Sequence, residues 1–258
     1  MDNAHDVVSI DPHYHGPPGS GNGGYTCGLA ATLLTNDRAT VRLHRPPPLG
    51  VPLDVRRSEG RVELAEGDRV VATALPWAGP DETAVAPEAD HVDAAIAAFD
   101  VAAYEAHHPF PTCFTCGPQR TEGDGLRIFP APIERSATVV WRWRSATAHA
   151  DGDGRLRPEV LWAALDCPGG MAWMHGGAQS EPGPLVLGQL SVAILRRPTI
   201  AEELVVSGWQ DGSTGRRRHA GTAAWTRDGE LIAQGAATWI RLDADQATAF
   251  AASSTPPA

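Results

Sequence analysis

The chain contains two halves that repeat one order of sequence patterns, and this repeat constrains its fold more than any other feature. Each half has an apolar segment with helical spacing, followed by a strand-like segment that ends in Arg-Pro, a short loop and a further strand. The two Arg-Pro pairs are Arg45-Pro46 and Arg197-Pro198, and the strands that follow them begin at Leu53 and Leu204. A helix followed by a meander of strands, given twice, predicts two α+β units. In each unit, an antiparallel sheet would cover its own helix.

The repeat also predicts where the units begin and end. We expect a first unit at residues 1–78, a linker with a helix at 79–112, a second unit at 113–245 and a disordered tail at 246–258. Alternating apolar residues and Gly-containing turns predict strands at 7–10, 39–45, 52–58, 61–65, 69–77, 126–129, 137–144, 187–195, 203–209, 217–226 and 231–242. Apolar residues at helical spacing predict helices at 23–35, 92–104 and 157–174, the last with a bend near Pro168.

Composition limits the classes of partner. The chain has 258 residues, 42% of them hydrophobic, and a net charge of −10, which argues against binding of nucleic acid or an anionic membrane surface. No apolar run approaches the roughly 20 residues that a bilayer span needs. The first residues are acidic and do not resemble a secretory signal. We therefore expect a cytoplasmic protein with reduced thiols and no membrane insertion.

The first predicted helix begins at Gly23-Gly24, directly after Asn22. The start of a helix offers bare backbone N–H groups at its positive end, and two glycines let a ligand oxygen approach them. This pattern is typical of an oxyanion hole, although a Gly-rich loop before a buried helix would look the same. Asn22 is a good N-cap and could also orient a substrate or a water molecule.

Three motifs together resemble the hotdog-fold acyl-thioesterase superfamily in its tandem, double hotdog form. Residues 22–25, followed by the strand that ends at Arg45-Pro46, are similar to the first half of thioesterase-like tandem proteins. Residues 113–118 and 125–129 are similar to the start of single hotdog thioesterases, and 160–166 to their central helix. Over almost the whole chain, the resemblance implies an α+β fold of two tandem hotdog units. Each would be an antiparallel sheet wrapped around a central helix, and the sheets would pair within one chain.

The resemblance also implies one composite site per chain. In single hotdog thioesterases the central helix opens with His-Gly-Gly and carries a catalytic Asp or Glu further along. Here the first half keeps the opening as 22–24 but has Ala31 at the acid position. The second half has Asp166 at the acid position but opens with Arg157-Pro158-Glu159. Because the glycine end of one helix faces the acid end of the other in paired hotdogs, the second, pseudo-symmetric site should be inactive.

The implied reaction is hydrolysis of an acyl thioester, such as an acyl-CoA. Asn22, Gly23, Gly24 and Asp166 are the candidate catalytic residues, with the Gly24 N–H as the best oxyanion donor and Asp166 as general base or nucleophile. Burial among apolar residues should raise the pKa of Asp166. An Asp at this place could instead cap a helix break.

Candidate substrate-binding residues come from the first helix, from one strand and from basic positions. They are Tyr25, Gln189, Ser191, Arg45, Arg197 and Arg217. Tandem bacterial acyl-CoA thioesterases support their Asp with a Thr and a Gln, whose positions fall here near Gly188 and Ala237, so Gln189 and Ser191 are the nearest substitutes. The arginines would favour the phosphates of coenzyme A, or would simply be solvated.

The four cysteines do not form a metal motif that the sequence alone can establish. Cys113 and Cys116 form one Cys-x-x-Cys pair, whereas structural zinc prefers four ligands. Cys27 and Cys167 fall on predicted helices, where they would be small core residues. We expect no cofactor and a packing role for the pair, with zinc at Cys113 and Cys116 as the alternative.

Two other functions fit the same fold. One is non-catalytic binding of acyl-CoA or lipid. The other is hydration of an enoyl thioester, for which Asp11 and His15 are the only pair with roughly the required spacing. Exposed sheet edges would also allow a homodimer.

Overall fold

The computed structural model describes residues 6–34, 36–80, 82–176, 180–181, 183–243, 245–246 and 248. The predicted tail at 246–258 lies outside the described residues except for positions 246 and 248. No helix in this described part is long and apolar enough to cross a lipid bilayer.

The order of elements repeats as the sequence predicts. The first half contains β1 (Val7–Val8), α1 (Gly23–Ala31), β2 (Arg38–Leu43), β3 (Leu53–Ser58), β4 (Arg61–Glu66) and β5 (Arg69–Pro76). Two connecting helices follow, α2 (Ala89–Ala98) and α3 (Val101–His107). The second half contains β6 (Ala131–Pro132), β7 (Thr138–Arg144), α4 (Pro158–Ala164), α5 (Cys167–His175), β8 (Leu185–Ile194), β9 (Glu203–Thr214), β10 (Arg217–Thr226) and β11 (Leu231–Arg241).

The strands form one antiparallel sheet in the order β1-β3-β4-β5-β2-β8-β11-β10-β9-β7-β6. The halves meet where β2 pairs with β8, with Val41 opposite Leu190. Both of these side chains are completely buried. This junction confirms the predicted fold class, two α+β units whose sheets pair within one chain.

The helices of the two halves lie side by side against the sheet. α1 packs on β2, β5 and β8, and α5 packs on β7, β9 and β10. α1 also packs closely on α4 because Gly24 and Gly28, one helical turn apart, have no side chains. A Cβ at Gly28 would lie 2.6 Å from Glu159 Cα and 2.8 Å from Trp162 Cβ. These glycines therefore fix the distance between the two helices.

Two predicted helices are each divided into two. The helix predicted at 92–104 is interrupted at Phe99 and Asp100, and the Asp100 side chain caps the second piece by accepting the Ala103 N–H at 2.9 Å. The helix predicted at 157–174 is interrupted at Leu165 and Asp166, before the expected bend near Pro168. Pro168 lies in the first turn of α5, where its missing N–H would have had no partner within the helix.

The strand predicted at 126–129 is wrong. Arg127 adopts a φ of 52°, which a strand does not allow. The N–H groups of Leu126 and Ile128 donate to the carbonyl oxygens of Phe114 and Thr115 at 2.8 and 3.0 Å. The apolar residues of this segment are therefore buried against the turn at 113–116 and not in the sheet.

Candidate active site between the two halves

The start of α1 is held by Asn22, which is 1% exposed. Its Oδ1 accepts the N–H of Tyr25 at 2.8 Å, so the predicted N-cap role is present. Its Nδ2 donates to Thr115 Oγ1 at 3.2 Å and contacts Cys113 Sγ at 3.7 Å. Asn22 therefore fixes the first turn of α1 to a turn that belongs to the second half of the chain.

Asp166 lies at the interruption between α4 and α5 and reaches the same helix start. Its Oδ2 accepts the N–H of Gly24 at 2.7 Å, although 142 positions separate the two residues. Its Oδ1 is buried and has no hydrogen-bond partner among the described residues. Asp166 is 2% exposed, and its side chain does not cap α5, the helix that follows it. The two halves thus bring an acid and a helix N-terminus together.

Burial raises the pKa of Asp166 to about 8, although the hydrogen bond from Gly24 partly opposes this shift. The direction agrees with the sequence-based expectation. A carboxyl group held in an apolar site with one unpartnered oxygen is a common feature of functional sites.

The backbone N–H that is free to meet a ligand oxygen is that of Gly23, whereas the sequence pointed to that of Gly24. The Gly24 N–H is occupied by Asp166, and a Cβ at Gly24 would lie 2.7 Å from the Trp162 carbonyl oxygen. This side of α1 is therefore filled by α4. Gly23 lines the adjoining cavity instead, and its N–H makes no hydrogen bond within the described part of the chain. Of the two glycines, Gly23 therefore has the N–H that is free to meet a ligand oxygen.

A cavity of about 280 Å³ adjoins this helix start. Its polar lining includes Asn22, Asp166, His44 and Arg45. Most of its wall is apolar and includes Leu43, Leu185, Leu187, Met171, Met174 and Trp239. The cavity therefore combines an apolar wall with a few polar groups at one end, as small-molecule sites do.

Three predicted substrate-binding residues, from α1 and β8, do not line this cavity. Tyr25 is 7% exposed and stacks on Tyr14 with 3.8 Å between ring centroids. The Ser191 hydroxyl is 2.7 Å from Thr40 Oγ1, where β2 and β8 pair. Gln189 lies on β8 beyond the residues of that strand that line the cavity. The strand pattern alone did not show which positions of β8 reach the cavity.

The predicted arginines also separate. Arg45 lines the cavity and lies 3.4 Å from Glu66 in an ion pair. Arg197 lines a different cavity and pairs with Asp151 at 2.5 Å. Arg217 is exposed at the start of β10 and lines neither cavity. Of these three arginines, only Arg45 lines the cavity that contains Asp166.

The cavity that Arg197 lines is the pseudo-symmetric counterpart of the first. It lies beside Pro158 at the start of α4 and contains Ala31 at the end of α1. Ala31 has no group that can act as an acid or a base. That this cavity is inactive stays a prediction.

The hydratase alternative loses its candidate pair. The Asp11 carboxylate accepts the His13 N–H at 2.8 Å and so caps a short turn. Neither Asp11 nor His15 lines the cavity that contains Asp166.

Sequence reasoning missed two features of the cavity. His44 lines it directly before Arg45, a position that the conspicuous Arg-Pro pair obscured. Cys167, which we expected in the core, joins Cys113 and Cys116 on the cavity wall. Its place next to Asp166 in the sequence was the available signal.

No family model and no curated protein matches the sequence, but solved structures match the fold. A putative thioesterase from Novosphingobium aromaticivorans is 19% identical, with 94% of this chain and 97% of that chain covered and a TM-score of 0.60. A tesB protein from Mycobacterium avium subsp. paratuberculosis is 15% identical, with 92% of each chain covered and a TM-score of 0.59. A protein with a hotdog fold from Alicyclobacillus acidocaldarius is 16% identical, with 94% and 95% covered and a TM-score of 0.58. The chain therefore has the double hotdog fold over almost its full described length.

Proposed function

We propose that this chain hydrolyses acyl thioesters, acyl-CoA above all, in the cavity that contains Asp166. One observation carries the proposal. The buried carboxyl group of Asp166, from the second half, contacts the N-terminus of α1, from the first half, and its Oδ1 has no hydrogen-bond partner among the described residues. The names of two similar structures, a putative thioesterase and a tesB protein, agree with this reaction. The fold alone does not choose it, since one fold hosts many activities.

The residues suit the charges that develop in this reaction. The thioester carbonyl oxygen becomes an oxyanion, which the Gly23 N–H at the positive end of α1 would stabilise. As general base, Asp166 would take a proton from water, whose oxygen bonds to the acyl carbon; the carbon–sulfur bond then breaks and the proton passes to the leaving thiolate. As nucleophile, Asp166 would bond to the acyl carbon and release the thiol, and water would then hydrolyse the resulting anhydride. Both routes give a carboxylic acid and a free thiol.

The cavity volume favours a substrate whose acyl end is enclosed and whose nucleotide stays outside. At about 280 Å³ it is just below the usual range for small-molecule sites, about 300–1,000 Å³. The apolar wall suits an acyl chain. Arg45 gives the lining a cation that would attract a phosphate of coenzyme A.

We also propose that the protein works in the cytoplasm. All four cysteines are free thiols, which suits a reducing compartment such as the cytoplasm. A homodimer through the sheet edges stays a prediction.

An assay of thiol release across acyl-CoA chain lengths tests the proposal. We compare wild type with Asp166→Asn, and with Asp151→Asn as a matched control outside the cavity. Removing the general base should lower kcat/KM by about 100-fold or more, whereas the control should keep wild-type activity. Circular dichroism checks that each variant is folded. Full activity in Asp166→Asn would exclude the proposed role of Asp166.

One observation favours the second function, binding of acyl-CoA without hydrolysis. The Thr and Gln that support bacterial tandem acyl-CoA thioesterases are missing from the corresponding positions, which fall near Gly188 and Ala237. Calorimetry with a non-hydrolysable acyl-CoA thioether separates the two functions. Binding by wild type, together with no thiol release from any acyl-CoA, would support the binding function.

A further inference from the structure

We propose that Cys113, Cys116 and Cys167 bind one Zn²⁺ ion on the wall of the cavity. The three sulfur atoms lie within 4.8 Å of one another, and Cys113 Sγ is 3.9 Å from Cys167 Sγ. Tetrahedral zinc with Zn–S bonds of about 2.3 Å places two sulfur ligands about 3.8 Å apart. The chain therefore already places its thiols close to the spacing of three corners of a zinc tetrahedron.

The turn at 113–117 is shaped to present two of these sulfurs together. The Gly117 N–H donates to the Cys113 carbonyl oxygen at 2.9 Å. A Cβ at Gly117 would lie 2.5 Å from that oxygen and 2.6 Å from the Cys113 nitrogen, so a larger residue would open the turn. The Tyr104 hydroxyl donates to the Cys116 carbonyl oxygen at 3.0 Å and holds the other end. This geometry is fixed without any metal.

One amide donor already touches the cluster. Asn22 Nδ2 lies 3.7 Å from the Cys113 sulfur, where it would donate to the thiolate that a metal requires. Such outer contacts orient and activate the ligands of metal sites. Each thiol that binds zinc loses its proton to solvent.

The fourth coordination position faces the cavity. All three cysteines line it, and no other Cys, His, Asp or Glu of the described residues joins the cluster. Zinc sites with three protein ligands and one open position are the reactive kind, whereas closed four-ligand sites are structural. Thiolates select soft metals, which makes Zn²⁺ the natural ion in a reducing compartment. The inference does not rest on thioester hydrolysis, because it concerns the thiols alone.

Cobalt substitution tests the site without any activity assay. Full-length protein is reduced, treated with a chelator and titrated with Co²⁺, and the thiolate-to-cobalt charge-transfer absorption is followed. Zn²⁺ is then added as competitor. We expect one Co²⁺ per chain, an absorption spectrum of tetrahedral cobalt and complete displacement by Zn²⁺.

The fourth cysteine gives a matched control. Cys27 is also fully buried, but it lies in the middle of α1 and outside the cluster. Cys27→Ala should keep the wild-type affinity for Co²⁺. Cys116→Ala and Cys167→Ala should each weaken Co²⁺ binding by more than about 100-fold, because losing a ligand costs more than changing a residue that only contacts the ligands, which costs at most about 100-fold. Thermal unfolding without metal shows that these variants fold.

Three results would overturn the inference. They are the absence of a charge-transfer band in wild type, an unchanged band in Cys167→Ala, and a disulfide between two cluster cysteines, found by mass spectrometry, that forms even when zinc is supplied under reducing conditions.

Discussion

Replacing Gly24 with alanine tests whether the contact between α1 and α4 sets the geometry of the site. A Cβ at Gly24 would overlap the Cβ of Asp166 and would lie 2.7 Å from the Trp162 carbonyl oxygen and 2.9 Å from Ala163 Cα. Backbone atoms form two of these three contacts, so no side-chain rotation relieves them. The helices must separate, and Asp166 must move away from the start of α1.

The expected loss of stability follows from these contacts. Overpacking a tight contact lowers the free energy of unfolding by about 1–3 kcal/mol. Because the backbone of α4 cannot move aside as a side chain can, we expect a cost of about 3 kcal/mol at Gly24. Alanine in a helix recovers at most about 1 kcal/mol relative to glycine. The net loss is about 2 kcal/mol, which for a chain of this size lowers Tm by about 4–8 °C.

Thermal unfolding followed by circular dichroism measures this change beside two control variants. Gly28→Ala crowds α4 in a similar way but lies away from Asp166, since its Cβ would meet Glu159 and Trp162. Gly28→Ala should lose about as much stability as Gly24→Ala but should keep more of the activity or ligand affinity than Gly24→Ala does. Gly152→Ala, with nothing within 4 Å of its Cβ, should stay within about 0.5 kcal/mol of wild type. A Gly24→Ala protein as stable as wild type would refute the packing argument.

Two further predictions concern buried groups outside the carboxyl site. Burial, reinforced by the Arg157 and His13 charges, lowers the pKa of His149 to about 4, so the folded protein resists its protonation. Since the unfolded His titrates near about 6.5, stability is lost as pH falls below that value. Denaturant titrations at pH 7 and at pH 5 measure this effect. Between these two pH values, the free energy of unfolding of wild type should fall by about 2 kcal/mol more than that of His149→Gln. Tyr104→Phe leaves the Cys116 carbonyl without its donor and should lower the free energy of unfolding by about 1 kcal/mol; an unchanged value would show that this hydrogen bond contributes nothing.

The parts of the fold that the sequence predicts are those fixed by local patterns. Residues 217–226 lie between two turn patterns, and β10 occupies the same positions. The Arg-Pro pairs follow two strands, β2 and β8, that occupy equivalent places in the two halves of the sheet. The repeat in the sequence therefore predicted the repeat in the structure. The Asp166 position came instead from the family resemblance, because Asp166 falls at the acid position of the second half.

The errors arise where a long-range contact decides the conformation. The segment at 126–129 has an apolar composition that suits a strand, but its N–H groups bond to Phe114 and Thr115, and Arg127 turns the chain. Cys167 is buried in the core as predicted, but the sequence did not show that Cys113 lies beside it. Likewise, a strand pattern does not show which positions of β8 reach a cavity, and Ser191 does not line the one that contains Asp166.

The asymmetry between the halves explains why one chain builds one such site. At the start of α1, Gly23 and Gly24 leave room for the backbone of α4, and this room brings Asp166 onto the helix end. At the start of α4, Arg157 fills the equivalent place with a guanidinium that donates to the Tyr14 hydroxyl at 2.8 Å. That end of the pair is therefore occupied by packing and hydrogen bonds of the first half. A cavity still lies beside Pro158 and Ala31, but Ala31 gives it no group that can act as an acid or a base.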